Sequence, residues 1–89
     1  MRIEWDETKR ASNLRKHRVD FADAVGALLD PQGLTREDED AEQEPRFLTL
    51  GRGYCERLPL VVWTERTGDV IRIISARRAS PGEARHYRD

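Results

Sequence analysis

The most strand-like pattern of hydrophobic and polar positions is Asp69-Val70-Ile71-Arg72-Ile73-Ile74-Ser75-Ala76-Arg77-Arg78, a run rich in β-branched residues behind the turn signal Thr67-Gly68-Asp69. Period-2 alternation puts Ile71, Ile73, Ser75 and Arg77 on one face and Val70, Arg72, Ile74, Ala76 and Arg78 on the other. Both faces are partly apolar, as an interior strand requires. Arg46–Arg52 and Arg57–Arg66 read as two further strands, with Pro59 confined to a strand start or a bulge because it cannot donate to a ladder. Arg2-Ile3-Glu4-Trp5 gives a short opening strand, and Gly33-Leu34-Thr35-Arg36 a short edge strand.

Helical spacing fills the remaining stretches. Asp6 caps a helix from about Glu7 to Lys16, whose apolar stripe, Ala11 and Leu14, is narrow. Asp20 caps a second helix in which Phe21, Ala24, Val25, Leu28 and Leu29 recur at threes and fours, and Asp30-Pro31 ends it. Ser80, Pro81 and Glu83 form the capping box of a last helix that runs through Ala84-Arg85-His86-Tyr87-Arg88. The predicted order is β-α-α-β-β-β-β-α. Successive strands joined by short turns pair antiparallel, because parallel neighbours need long crossovers. The expected fold class is α+β: one small domain over residues 1–89, a mostly antiparallel sheet with helices on one face.

Composition narrows the function classes. With 37% hydrophobic and 37% charged residues in 89, the chain supports one modest core. No apolar run approaches the roughly 18 residues of a spanning helix, and the first residues show no signal-peptide pattern, so the expectation is a cytoplasmic protein without a membrane partner. Cys55 is the only cysteine and, with two histidines, cannot build a zinc site; neither a metal nor a cofactor is expected.

The formal net charge of −1 conceals three blocks: residues 1–18 sum to +3, residues 20–45 to −8, and residues 46–89, with nine arginines against five acids, to +4. The acidic run Glu37-Asp38-Glu39-Asp40-Ala41-Glu42-Gln43-Glu44 reads as a solvated loop, since it lacks the glycine and ordered spacing of a calcium loop.

No nucleotide loop, metal-ligand cluster or nucleophile motif is present. Arginine, histidine, glutamate and tyrosine remain, and these suffice for metal-free cleavage of RNA, where the 2′-hydroxyl is the nucleophile and the protein supplies proton transfer and charge stabilisation. Each candidate has a second reading. His17 is either a general acid or base, or a helix-end residue complementing the dipole. Arg66, Arg72, Arg77 and Arg78 either clamp phosphate or pair with Glu65, Asp69 and Glu83. Glu83 is a capping residue or a proton-transfer group, and His86 and Tyr87 fill the core or stack on substrate.

The chain resembles the BrnT family of toxins from bacterial type II toxin-antitoxin modules. The resemblance rests on Trp5-Asp6, Lys9, Asn13, Lys16-His17, Val19, Phe21 and Ala24, then Arg46-Phe47, Leu50-Gly51, Leu60-Val61-Val62 and Thr64-Glu65-Arg66, and above all Ile71 to Ala79, with Glu83 and Tyr87 behind it. It implies a RelE-like fold, metal-independent endoribonuclease activity that inhibits translation, and a cognate ribbon-helix-helix antitoxin of the BrnA kind, with DNA reached only through that antitoxin. Carried over by position, it implies His17, Arg66, Arg77, Glu83 and Tyr87 as catalytic residues, and Lys16, Arg72 and Arg78 as RNA-binding residues. Two departures stand out: Pro45, where the family usually has an acid, and the heavily acidic insert. The rival reading is a non-catalytic protein-interaction module on the same fold. Direct operator binding has no helix-turn-helix or ribbon-helix-helix pattern to support it.

Overall fold

Connection lengths decide the sheet. In the computed structural model, which describes residues 1–88, the elements are β1 (Arg2–Glu4), α1 (Glu7–His17), α2 (Phe21–Leu28), β2 (Leu34–Glu37), β3 (Phe47–Leu50), β4 (Pro59–Arg66), β5 (Val70–Arg78) and α3 (Pro81–Arg88). The sheet order is β1-β5-β4-β3-β2. β2 to β5 form the antiparallel meander that short connections dictate. β1 is free of any hairpin constraint and joins the far edge parallel to β5, pairing Arg2 with Val70 and Glu4 with Arg72. The sheet is therefore mixed, with one parallel pair.

The helix starts follow from side-chain caps. Asp6 accepts from the Thr8 and Lys9 amides at 2.7 and 3.3 Å, and Asp20 from Ala22 at 3.0 Å. Ser80 and Glu83 exchange bonds as a capping box, the Ser80 amide donating to Glu83 Oε1 at 2.8 Å and the Glu83 amide to Ser80 Oγ at 3.2 Å. Such caps contribute about 1 kcal/mol each. In α2, Phe21, Ala24 and Ala27 are fully buried, whereas Leu29, expected on the same face, lies past the helix end and is 51% exposed.

The core joins Val19, Phe21, Ala24 and Ala27 to Val61, Ile73 and Ala76, with Ile3, Trp5, Val25, Leu28 and Trp63 packed around them. Ile73 and Ala76 are three apart and both in the core, which strict alternation forbids. The register gives the reason: Val62 pairs with Ser75 but Trp63 pairs with Ile73, so Ile74 is an extra, bulged residue. The alternation read from the sequence therefore breaks at Ile74. Arg72 and Arg77, each next to a core residue, fall on the outer face together instead of on opposite faces.

α1 departs most from expectation. Leu14 is 43% exposed and Ala11 is also exposed; the helix is anchored instead by Asn13, which is 7% exposed. β1 pairs with β5 only as far as Arg72, leaving the rest of that edge open. Asn13 closes it: Nδ2 donates to the Ala76 carbonyl at 2.8 Å, and Oδ1 accepts from the Ala76 amide at 3.1 Å. The side-chain amide takes the place of a strand residue. The same Nδ2 also donates to the Val19 carbonyl at 2.9 Å, fixing the turn between α1 and α2.

Candidate active site

The β4–β5 hairpin has an exit end, where Pro59 pairs with Arg78 and Leu60 with Arg77, and a turn end, where Arg66 pairs with Val70. Asn13 ties α1 to β5 at Ala76, so the last turn of that helix is delivered to the exit end. His17 lies one turn beyond Asn13 on the same helix face and is half-buried. Arg18 follows it in a left-handed conformation, φ 61°, its amide donating to the Leu14 carbonyl at 2.9 Å. Arg57 then crosses from the loop before β4, its Nη1 donating to the Arg18 carbonyl at 2.9 Å. That loop is docked on α2: any side chain at Gly51 would strike the Ala27 backbone, and the Tyr54 amide donates to the Asp23 carbonyl at 3.2 Å.

The result is a basic corner built from four elements of the chain. Leu14, Arg15, Arg18 and Arg57 line one groove of about 490 Å³. Arg57 also borders a second, of about 260 Å³, with Leu58, Arg78, Ala79 and Ala84. Lys16, next to Arg15 along the helix, is exposed. Among the described residues, Arg15, Lys16, Arg18, Arg57 and Arg78 form no ion pair. Unneutralised guanidinium groups from a helix end, a loop and a strand end can converge on a phosphate with planar, forked donors.

Arg77 and Glu83 are committed to each other. Two parallel bonds of 2.9 Å join the guanidinium to both carboxylate oxygens. The Arg77 guanidinium, with help from the Ser80 amide, holds the Glu83 carboxyl down to about 2, and the same bond raises Arg77 above its ordinary value. Glu83 is thus a carboxylate at neutral pH, with no proton to donate. Tyr87 is likewise engaged, its Oη donating to Asp30 Oδ2 at 2.6 Å, while the Arg52 amide donates to the same oxygen at 2.8 Å. The Asp30 carboxylate raises the Tyr87 hydroxyl, and the bond from Tyr87 lowers Asp30. These two contacts pin α3, which buries none of its residues, to β5 and to the end of α2.

The remaining candidates lie elsewhere. Arg66 is six residues along β4 from the partner of Arg77, about 20 Å at strand rise. Arg72 is neutralised by Glu4, Nη1 to Oε2 at 2.7 Å across the β1–β5 pair. His86 is exposed on the wall of a different groove, opposite Leu34 and Leu48. Arg77, Arg78 and Glu83 thus share the β5 exit, Lys16 and His17 end the helix that Asn13 ties to β5, and Arg66 and Arg72 lie toward the other end of the hairpin. The structure adds Arg15, Arg18 and Arg57, which sequence reasoning passed over. Their signal was present in the basic last turn of α1 and in Arg57 at the start of β4, but nothing in the sequence alone joins the two. Among the described residues no group of histidine, cysteine or acidic side chains is placed to hold a metal ion.

Comparison with known proteins bears on this geometry. A family model described as the ribonuclease toxin, BrnT, of type II toxin-antitoxin system matches residues 5–83, a span that includes the basic corner and ends at Glu83. The chain is also similar to the solved structure of the ribonuclease toxin BrnT of Brucella abortus, with 28% identity and a TM-score of 0.69 over 90% of this chain and 97% of that one. No curated protein sequence matches.

Proposed function

The chain belongs to the BrnT family of ribonuclease toxins from type II toxin-antitoxin systems, and from that premise we propose that it is a metal-independent endoribonuclease whose RNA cleavage inhibits translation. The single observation that supports this site is the arginine corner at the β5 exit, whose cations form no ion pair among the described residues; His17 is assigned to it because it ends the helix that Asn13 ties to β5. RNA's phosphate seats between Arg57, Arg18 and Arg78, with Arg15 and Lys16 extending the track for neighbouring phosphates.

The reaction follows from those groups. The 2′-hydroxyl loses its proton, its oxygen bonds to the adjacent phosphorus, and the bond from phosphorus to the 5′-oxygen breaks. That oxygen takes up a proton, leaving a 2′,3′-cyclic phosphate and a 5′-hydroxyl. Charge builds on the phosphorane oxygens, where fixed guanidinium donors stabilise it most. His17 moves the proton, since an imidazole has one ring nitrogen that accepts and another that donates. Arg77 is a positioning residue oriented by Glu83, and Tyr87 acts by fixing α3. The proposal leaves Arg66 and Arg72 outside the site. It includes cytoplasmic action, RelE-like kinship, and neutralisation by a ribbon-helix-helix antitoxin of the BrnA kind that alone contacts DNA.

The test is cleavage of end-labelled single-stranded RNA by the purified chain in excess chelator, repeated with ribosomes and magnesium. Expected are products with 2′,3′-cyclic phosphate ends, and a rate about a hundredfold lower for a folded His17→Ala variant, the smaller end of what proton transfer contributes. Intact RNA in both arms would replace this reading with the non-catalytic interaction module.

A further inference from the structure

β2 closes one side of the sheet, so among the described residues one edge of its backbone has no strand partner, and all four of its residues are exposed. Its pairing with β3 is regular from Leu34 to Glu37, with neither bulge nor proline to blunt the edge. Such an edge is a template for an added strand. On the adjoining sheet face Leu34, Leu48, Leu50 and Leu60 floor a groove of about 410 Å³, with Arg36 on one side and Glu83 and His86 of α3 on the other. Leu34 is 47% exposed there.

Charge selects the occupant. The chain leaves β2 directly into Glu37-Asp38-Glu39-Asp40-Ala41-Glu42-Gln43-Glu44, and among the described residues none of these acids forms an ion pair. RNA is repelled by such a rim, whereas a cationic polypeptide is attracted to it. We infer that the β2 edge, its leucine groove and the acidic loop together dock an extended basic segment of the neutralising antitoxin, added as a further strand. Alternate apolar side chains of that segment enter the groove, and its basic side chains face the loop. The inference rests on the toxin reading above. It also places the segment against α3, whose Glu83 holds Arg77, so docking at the acidic edge reaches the basic corner through one helix.

Two measurements test it. In the first, a labelled ten-residue peptide of alternating leucine and lysine is titrated into the full chain, beside its leucine–glutamate counterpart and a single-stranded RNA, with amide exchange followed. The leucine–lysine peptide is expected to bind at least tenfold tighter than the counterpart and to slow exchange at outward-facing amides of residues 34–37. A Glu39→Gln/Asp40→Asn/Glu42→Gln variant should lose that preference. In the second, the same variant is co-expressed with the antitoxin: growth arrest by the variant should persist, and the antitoxin should no longer relieve it. Equal binding of the two peptides, protection away from β2, RNA bound at this edge, or full relief of the variant would overturn the inference. An unmodified chain without toxicity would overturn the ribonuclease reading instead, and the peptide titration would then decide the docking surface alone.

Discussion

The two ends of the β4–β5 hairpin carry the same residue type in different company, although Arg66 at the turn end, like Arg57 and Arg78 at the exit, forms no ion pair among the described residues. At the turn end Arg72 is satisfied by Glu4 across a strand pair, and the terminal amine of Met1 sits 3.3 Å from Asp69. At the exit end Arg57 lines one groove with Arg15 and Arg18 and another with Arg78, and no carboxylate lines either. Arg77, between the two regimes, is oriented by a bidentate partner while 45% of its side chain remains exposed. What separates a structural arginine from a phosphate ligand here is the company it keeps, and that company comes from distant parts of the chain.

The comparison breaks most completely if the scaffold of the exit end is removed. Asn13→Ala strands the amide and carbonyl of Ala76 and the carbonyl of Val19, all buried bonds. At about 1–3 kcal/mol per unmet group, partly recovered by relaxation, the expected loss is about 3 kcal/mol or more, measured by urea unfolding. Next in size, and sharpening the contrast directly, Arg57→Ala and Arg78→Ala should each weaken RNA binding about tenfold and flatten the salt dependence by about 0.7 in log–log slope. Arg66→Ala and Arg72→Ala should change affinity less than about twofold in the same titration.

Arg18→Gly separates function from stability. A left-handed residue at a helix end favours glycine, so the substitution should stabilise the chain by about 1 kcal/mol in urea while lowering RNA affinity. The smallest effect concerns pH. The folded-state pKa of Glu83 lies near 2, below the ordinary carboxylate value, so its contribution is fully present above about pH 5 and is lost as pH falls toward 2. The melting temperature should drop over that window, less steeply in Glu83→Gln. The effect stays small because the Arg77–Glu83 pair is partly solvated.

Local signals carried the element order. Caps at Asp6, Asp20 and Ser80, the stop at Asp30-Pro31 and the β-branched runs are all written within a few residues, and each appears where expected. The bulge at Ile74 was hidden, because a run of β-branched residues looks the same with or without one extra residue. Asn13 was hidden for a different reason. A polar residue on a helix reads as exposed unless the strand edge it completes is known, and that edge exists only because β1, some 70 residues away in sequence, is short. Arg57 belongs to the same class. Pro45 precedes β3 without disrupting it: its carbonyl accepts from the buried Thr64 hydroxyl at 2.8 Å.

The central claim is that the exit end, and not the turn end, meets RNA. The most direct measurement is RNA integrity and growth in bacteria expressing the chain, Arg57→Ala/Arg78→Ala, or Arg66→Ala/Arg72→Ala, at matched soluble levels. The account predicts cleaved RNA and arrested growth with the unmodified chain and the turn-end pair, and intact RNA with the exit-end pair. Cleavage that survives loss of Arg57 and Arg78 but disappears with Arg66 and Arg72 would contradict it.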